Sequence, residues 1–143
     1  MCTNVVPGTG ALLRACLVVS DVLRAELHCH SSLSYDGRDP VEMLLAQAEA
    51  VGLDVLAVTD HDEIDASLDA AERAEEYGLV GIPGMEVTSE AGHVLALGIE
   101  ELIPPGLPFV ETLDRIWEQG GIAVVPHPFQ RSRHGVAPHI SEE

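Results

Sequence analysis

Short apolar runs alternate with amphipathic patterns of helical period along residues 24–126, and run after run stops at a histidine or an acid. Asp54–Thr59 (DVLAVT) is apolar and bounded by charge, as a buried parallel strand would be. Arg24–His28 reads as a short strand before it. Between the two, Asp39-Pro40-Val41-Glu42 starts a helix, with Asp as N-cap, Pro at the first helical position and Glu three residues after the cap. Val41, Leu44, Leu45, Ala48 and Val51 recur on one face of it, and Gly52 ends it. Asp62 is expected to cap a second helix reaching about Tyr77, stopped by Gly78. Leu79–Ile82, Met85–Ser89 and His93–Gly98 follow as short strands, the last two joined by a tight turn at Glu90-Ala91-Gly92. Beyond a Pro104-Pro105 loop, Phe109, Leu113, Ile116 and Trp117 define a third helix, ended by Gly120-Gly121, and Ile122–Pro126 is one more buried strand. Such alternation implies right-handed βαβ units around a parallel sheet, open or barrel-like. With 143 residues the α/β fold has room for one domain with a sizeable core, not two.

Charge narrows the partners. The net charge of -17 comes from 24 acids against 7 bases, every base an arginine. This surface repels nucleic-acid phosphates at long range, so tight binding of long nucleic acid is excluded and any polyanion contact needs a local arginine or a bound metal. Adaptation to a high-salt cytoplasm and an acidic protein from a GC-rich genome explain the charge equally well. Cys2, Cys16 and Cys29 are odd in number and lack CxxC spacing, which argues against a disulfide framework and a thiolate zinc site. Ala11–Val19 is apolar but interrupted by Arg14, too short to span a bilayer and without a basic leading region. Residues 1–21 therefore read as a poorly defined leader or over-long start, residues 22–143 as the folded unit, and the location as cytoplasmic.

In β/α folds the active site gathers at the carboxyl ends of the strands. Here the first strand ends in His28-Cys29-His30, the second in Asp60-His61-Asp62, the next segment carries Glu86, and the last ends in Pro126-His127-Pro128. Five of the seven histidines (28, 30, 61, 93 and 127) sit at strand starts or ends, and helices 40–51 and 107–119 hold none. In extended backbone, residues two apart point to the same side, so His28 and His30 can reach one ion while Cys29 turns into the packing as a structural thiol. Each element taken singly has a plainer reading. An HxH pair arises by accident, Asp beside His often caps a helix, Glu86 after Pro83-Gly84 could be a turn carboxylate, and His93 a satisfied strand histidine. Their joint occurrence at successive strand termini is the signal. The flanking prolines at His127 fix its backbone and remove a competing amide donor.

The segments ELHCHSSLSYDG, VLAVTDHD, GIPGMEVTSEAGHVLALGI and VVPHPF resemble, in order, the motifs of the polymerase-and-histidinol-phosphatase (PHP) family, over about residues 24–130. Within the family they are most similar to stand-alone phosphoesterases acting on nucleoside phosphates and short oligonucleotides. The resemblance implies the N-terminal part of a distorted (β/α)7 barrel and up to three divalent metal ions. His28, His30 and Glu86 would hold the first ion and Asp36 and His61 the second, with Glu86 bridging to a third held by His93 and His127. Mixed imidazole and carboxylate ligands suit Mn, Fe or Zn alike. The nucleophile would be a metal-bound water, with no side-chain base assigned. Arg131 and Arg133 are either phosphate grips or surface arginines, and Asp60 is expected to orient its neighbours rather than ligate. His134 and His139 match no motif.

The family pattern closes with an Asp-x-His, and none occurs in this sequence. The expectation is therefore a PHP domain incomplete at its C-terminus, in which catalysis is reduced or lost. Three readings compete: a nucleotide-type phosphoesterase with 5′–3′ exonuclease-like action, a histidinol-phosphate-type metabolite phosphatase, and a non-catalytic metal-binding module.

Overall fold

The computed structural model describes residues 22–137. The proposed leader, Cys2, Cys16 and His139 lie outside the described residues. The elements run β1 (Ala25–Cys29), α1 (Val41–Val51), β2 (Val55–Val58), α2 (Asp65–Arg73), β3 (Val80–Gly81), β4 (Gly84–Ser89), β5 (Gly92–Leu97), α3 (Phe109–Glu118) and β6 (Ile122–Val124). Short 3-10 turns follow α2 at Ala74–Tyr77 and β6 at Arg131–Arg133.

The strands form two three-stranded sheets. β1-β2-β3 is parallel, with α1 and α2 as its crossovers, as the alternation of patterns requires. β4-β5-β6 is antiparallel, which the expectation of one parallel sheet did not anticipate. The reason is local: β4 and β5 are joined by the tight turn read at Glu90-Ala91-Gly92, and a two-residue connection can only reverse the chain. An isolated parallel bridge between His61 and Glu86 links the two sheets beside the site.

Each sheet has its own core. Leu45, Ala48, Leu56, Val58, Ala70 and Leu79 pack α1 and α2 on the parallel sheet. Met85, Val87, Val94, Ala96 and Ile116 pack α3 on the antiparallel one. A third cluster, Ala57 with Leu95 and Leu97, lies between the sheets and is joined by Leu27 and Ile82. All four residues of β2 are buried, as its unbroken apolar sequence predicts.

Two helix starts differ from expectation. α1 begins at Val41 with Pro40 in the cap position, and no side chain caps it. α2 begins at Asp65, because Asp62 is used elsewhere: it takes a left-handed φ of 54°, and its carboxylate accepts the Thr88 N–H at 2.7 Å. The C-terminal stop at Gly52 holds, with φ 74° and its N–H directed to Ala48 and Glu49 carbonyls. Among the described residues no helix is long and apolar enough to cross a membrane.

Candidate metal centre

Glu86 lies in the middle of β4 with only 1% of its surface exposed, and five imidazoles converge on it. Its two oxygens are divided between them. Oε2 faces His28 Nε2 at 2.9 Å, His30 Nε2 at 3.3 Å and His61 Nε2 at 3.5 Å. Oε1 faces His93 Nδ1 at 2.9 Å and His127 Nε2 at 3.1 Å. His28 and His30 do share one side of the chain, their rings 5.1 Å apart. The register of β1 on β2 slips between Glu26 and Cys29, and Glu26 Oε1 accepts the His28 N–H left free there. His127, between its prolines, adopts φ 30°, a conformation that a non-glycine residue holds only where its surroundings enforce it.

Asp36 comes from the β1–α1 loop. Its Oδ2 stands 3.4 Å from His61 Nε2 and its Oδ1 3.6 Å from His30 Nδ1. Ser34 positions it by donating to Asp36 Oδ1 at 2.9 Å while accepting the His61 N–H. Gly37 lets this loop close, because a Cβ there would strike the backbone carbonyl of Ser31. Asp60 is 1% exposed and accepts both the backbone N–H and the hydroxyl of Ser31 at 2.5 Å, fixing the chain directly after His30. Cys29 turns away from the cluster toward the Ala57 carbonyl, and burial, with Glu26 and Asp60 nearby, pushes its thiol up to about 12.

Burial alone would raise the Glu86 carboxyl, but the imidazoles of His28, His30 and His93 set against it more than offset that and hold the group well below the usual carboxylate range. Burial likewise works to lower His30, yet its contact with the Glu86 carboxylate and the charges of Asp36, Glu86 and Asp60 leave it raised. His61 is lowered, chiefly by burial and against the pull of Glu86. For Asp36, burial raises the carboxyl, while Ser34, His30 and His61 bring it down overall.

The donor set fits divalent metal. Three groups have ligand atoms within 4.8 Å of one another: His28, His30 and Glu86; His30, Asp36 and His61; and His61, Glu86 and His93. The buried Nδ1 atoms of His61, His93 and His127 have no hydrogen-bond partner, and His93 Nδ1 is out of line for a hydrogen bond although 2.9 Å from Glu86. An unpaired buried nitrogen costs about 1–3 kcal/mol, and for His93 that nitrogen is the one facing Glu86, where a cation would satisfy it; His61 and His127 face Glu86 through Nε2 instead.

The chain beyond His127 folds back over the cluster. The Gly135 N–H returns to the Gln130 carbonyl, and the His134 carbonyl accepts the His93 N–H at 3.0 Å. Gly92 makes that approach possible, since a Cβ on it would meet the His134 carbonyl. Arg133 and His134 thereby join Tyr35 in lining a cavity of about 260 Å³ above the seven ligand candidates, Glu86, Asp36 and the five histidines. Arg131 lies in the same 3-10 turn, and its side chain is outside the described residues. Three residues escaped the sequence reading. Ser34 and Tyr35 lay unassigned inside the first PHP-like motif, and an aromatic ring in a serine-rich loop of a chain with five aromatics was the available signal. His134 had none, because long-range contacts bring it to the site: its carbonyl on the His93 N–H, and its ring stacked on His93 at 5.2 Å.

The PHP domain family model matches residues 26–112. Uncharacterized protein MJ1587 of Methanocaldococcus jannaschii is 34% identical over 75% of this chain and 68% of its own length. The 5′-3′ exoribonuclease of Haemophilus influenzae is 32% identical over 69% of this chain, which spans only 37% of that relative. Among solved structures, a two-domain protein of Bacteroides vulgatus containing a predicted PHP-like metal-dependent phosphoesterase superposes with a TM-score of 0.68 at 24% identity, covering 85% of this chain and 38% of that one. The fold is thus the PHP-like α/β architecture, covered in part, and the chain belongs to the PHP domain family.

Proposed function

We propose that this chain is the metal-binding part of a phosphoesterase that hydrolyses nucleotide-type phosphate esters or short oligonucleotides, with 5′–3′ exonuclease-like action. The observation that carries the reading is the division of the buried Glu86 carboxylate between two sets of imidazoles. In it, His28, His30 and Glu86 hold one ion, Asp36 and His61 a second, and Glu86, His93 and His127 a third, whether Mn, Fe or Zn. Such ions supply Lewis-acid charge and acidify a water at neutral pH. The chain's own residues do the rest: Asp60 and Ser34 fix the ligands, and Arg133, with Arg131 before it, offers guanidinium forks to a phosphoryl group. The acidic surface favours small phosphorylated substrates over long nucleic acid. A relative whose name is 5′-3′ exoribonuclease supports the substrate class.

Purified protein should carry stoichiometric metal, reduced in His28→Ala and His127→Ala, and any turnover by loaded protein should be faster on nucleoside monophosphates or short oligonucleotides than on histidinol phosphate. Equal metal in wild type and both variants refutes the centre. Turnover confined to histidinol phosphate moves the assignment to a metabolite phosphatase. Full metal occupancy without turnover on any ester leaves a non-catalytic metal-binding module.

A further inference from the structure

Tyr35 is 80% exposed although it lines the cavity over the buried Glu86. Its ring stacks on His61, with centroids 4.6 Å apart and planes 19° from parallel. His61 in turn stacks on His30 at 4.7 Å and 22°. Three nearly parallel rings are therefore in sequence, and the last leaves most of its surface to water. Arg133 lines the same cavity, close enough for its charge to act on the Tyr35 hydroxyl. The cavity itself, about 260 Å³, is smaller than the roughly 300–1,000 Å³ of sites that enclose a drug-sized ligand. It has room for a phosphoryl group and its sugar, and whatever the sugar carries must rest at the mouth.

We infer that Tyr35 is the stacking platform for the base of a nucleotide whose phosphate lies in the cavity. This rests on the phosphoester reading above and adds the specificity element. A planar heterocycle continues the run of rings His30, His61 and Tyr35, and every base has a π-face to offer, so the platform selects for the presence of a base rather than its identity. A sugar phosphate without a base gains nothing from the ring.

The test is calorimetric binding to the full-length chain in Mn2+, with adenosine 5′-monophosphate and ribose 5-phosphate compared in wild type, Tyr35→Phe and Tyr35→Ala. Base–aromatic stacking is worth roughly 5- to 150-fold in affinity, so wild type and Tyr35→Phe should favour the nucleotide by at least about fivefold. Tyr35→Ala should lose that preference while binding ribose 5-phosphate as wild type does. Equal loss of both ligands in Tyr35→Ala would show that the ring only shields His61, and would overturn the inference. So would wild-type protein binding the two ligands equally. Binding of neither ligand by metal-loaded protein would instead overturn the phosphoester reading, and the platform with it.

Discussion

Replacing Glu86 with glutamine keeps the shape of the side chain and removes the only buried carboxylate that faces all five imidazoles. In chelated protein the two aligned hydrogen bonds are those to His28 and His127, at 2.9 and 3.1 Å, and the amide keeps one acceptor while placing an NH2 donor where the other oxygen stood. At roughly 1.5–3 kcal/mol for the hydrogen bond to a charged group that is lost, the destabilisation is about 1.5–3 kcal/mol. The cost depends on pH through opposed groups. His30 is raised, so its share of the stability is full below its unfolded value and fades as pH rises through the folded one. His61 is lowered, so its share runs the other way, full above its unfolded value and fading as pH falls. Glu86 is depressed, so its share is present above its unfolded value and fades only in acid. Metal binding strengthens as pH rises, since imidazoles ligate only when neutral. At a hundredfold excess over Kd a bound ion adds about 2.7 kcal/mol, a rise in Tm of roughly 8–14 °C for a chain of this size. Differential scanning fluorimetry with Mn2+ or chelator at pH 6 and pH 8 measures both effects. Glu86→Gln should abolish the metal-induced rise at either pH. A rise equal to that of wild type would refute the placement of Glu86 at the centre.

Cys29, with its thiol at about 12, should react with iodoacetamide at pH 8 about a thousandfold more slowly than an ordinary thiol near 8.5, measured in a Cys2→Ser/Cys16→Ser background. Asp60→Ala leaves the Ser31 N–H and hydroxyl without their buried acceptor, which should cost about 2–5 kcal/mol in urea unfolding and weaken metal binding through the displaced His30. Gly37→Ala drives a methyl into the Ser31 carbonyl and should lower metal affinity more than tenfold by moving Asp36, with the far-UV circular dichroism of α1 and α2 unchanged.

The elements that define the site were legible because their signals are local. The periodicity of α1, the unbroken apolar run of β2 and the spacing of His28 and His30 each follow from residues close in sequence. The antiparallel second sheet was half legible: the Glu90-Ala91-Gly92 turn announced the β4–β5 hairpin, but nothing near Ile122 says that β6 pairs antiparallel with β5. The capping assignment failed at Asp62 because a short polar side chain bonds to whichever N–H the tertiary fold presents, here Thr88, 26 residues away. At Asp39 the helix starts two residues on, with Pro40 in the cap position. His134 is the extreme case, brought to the cavity by long-range contacts with His93, one through its carbonyl and one through its ring.

The centre straddles the seam between two separate cores. His28, His30 and His61 belong to the side built on Leu45 and Val58, Glu86 and His93 to the side built on Met85 and Val94. The two sides are tied by the bridged pair His61 and Glu86, by the Thr88 and Gly84 N–H groups on Asp62 and Ser67, by Ile64 and Leu68 packed into the second core, and by a small interior cluster. An ion liganded from both sides would act as a rivet added to these ties, and its removal would loosen the seam first. Amides on both sheets would then exchange together in loaded protein, and those beside the seam would exchange sooner in stripped protein, so that the same ligands would govern the cooperativity of the fold.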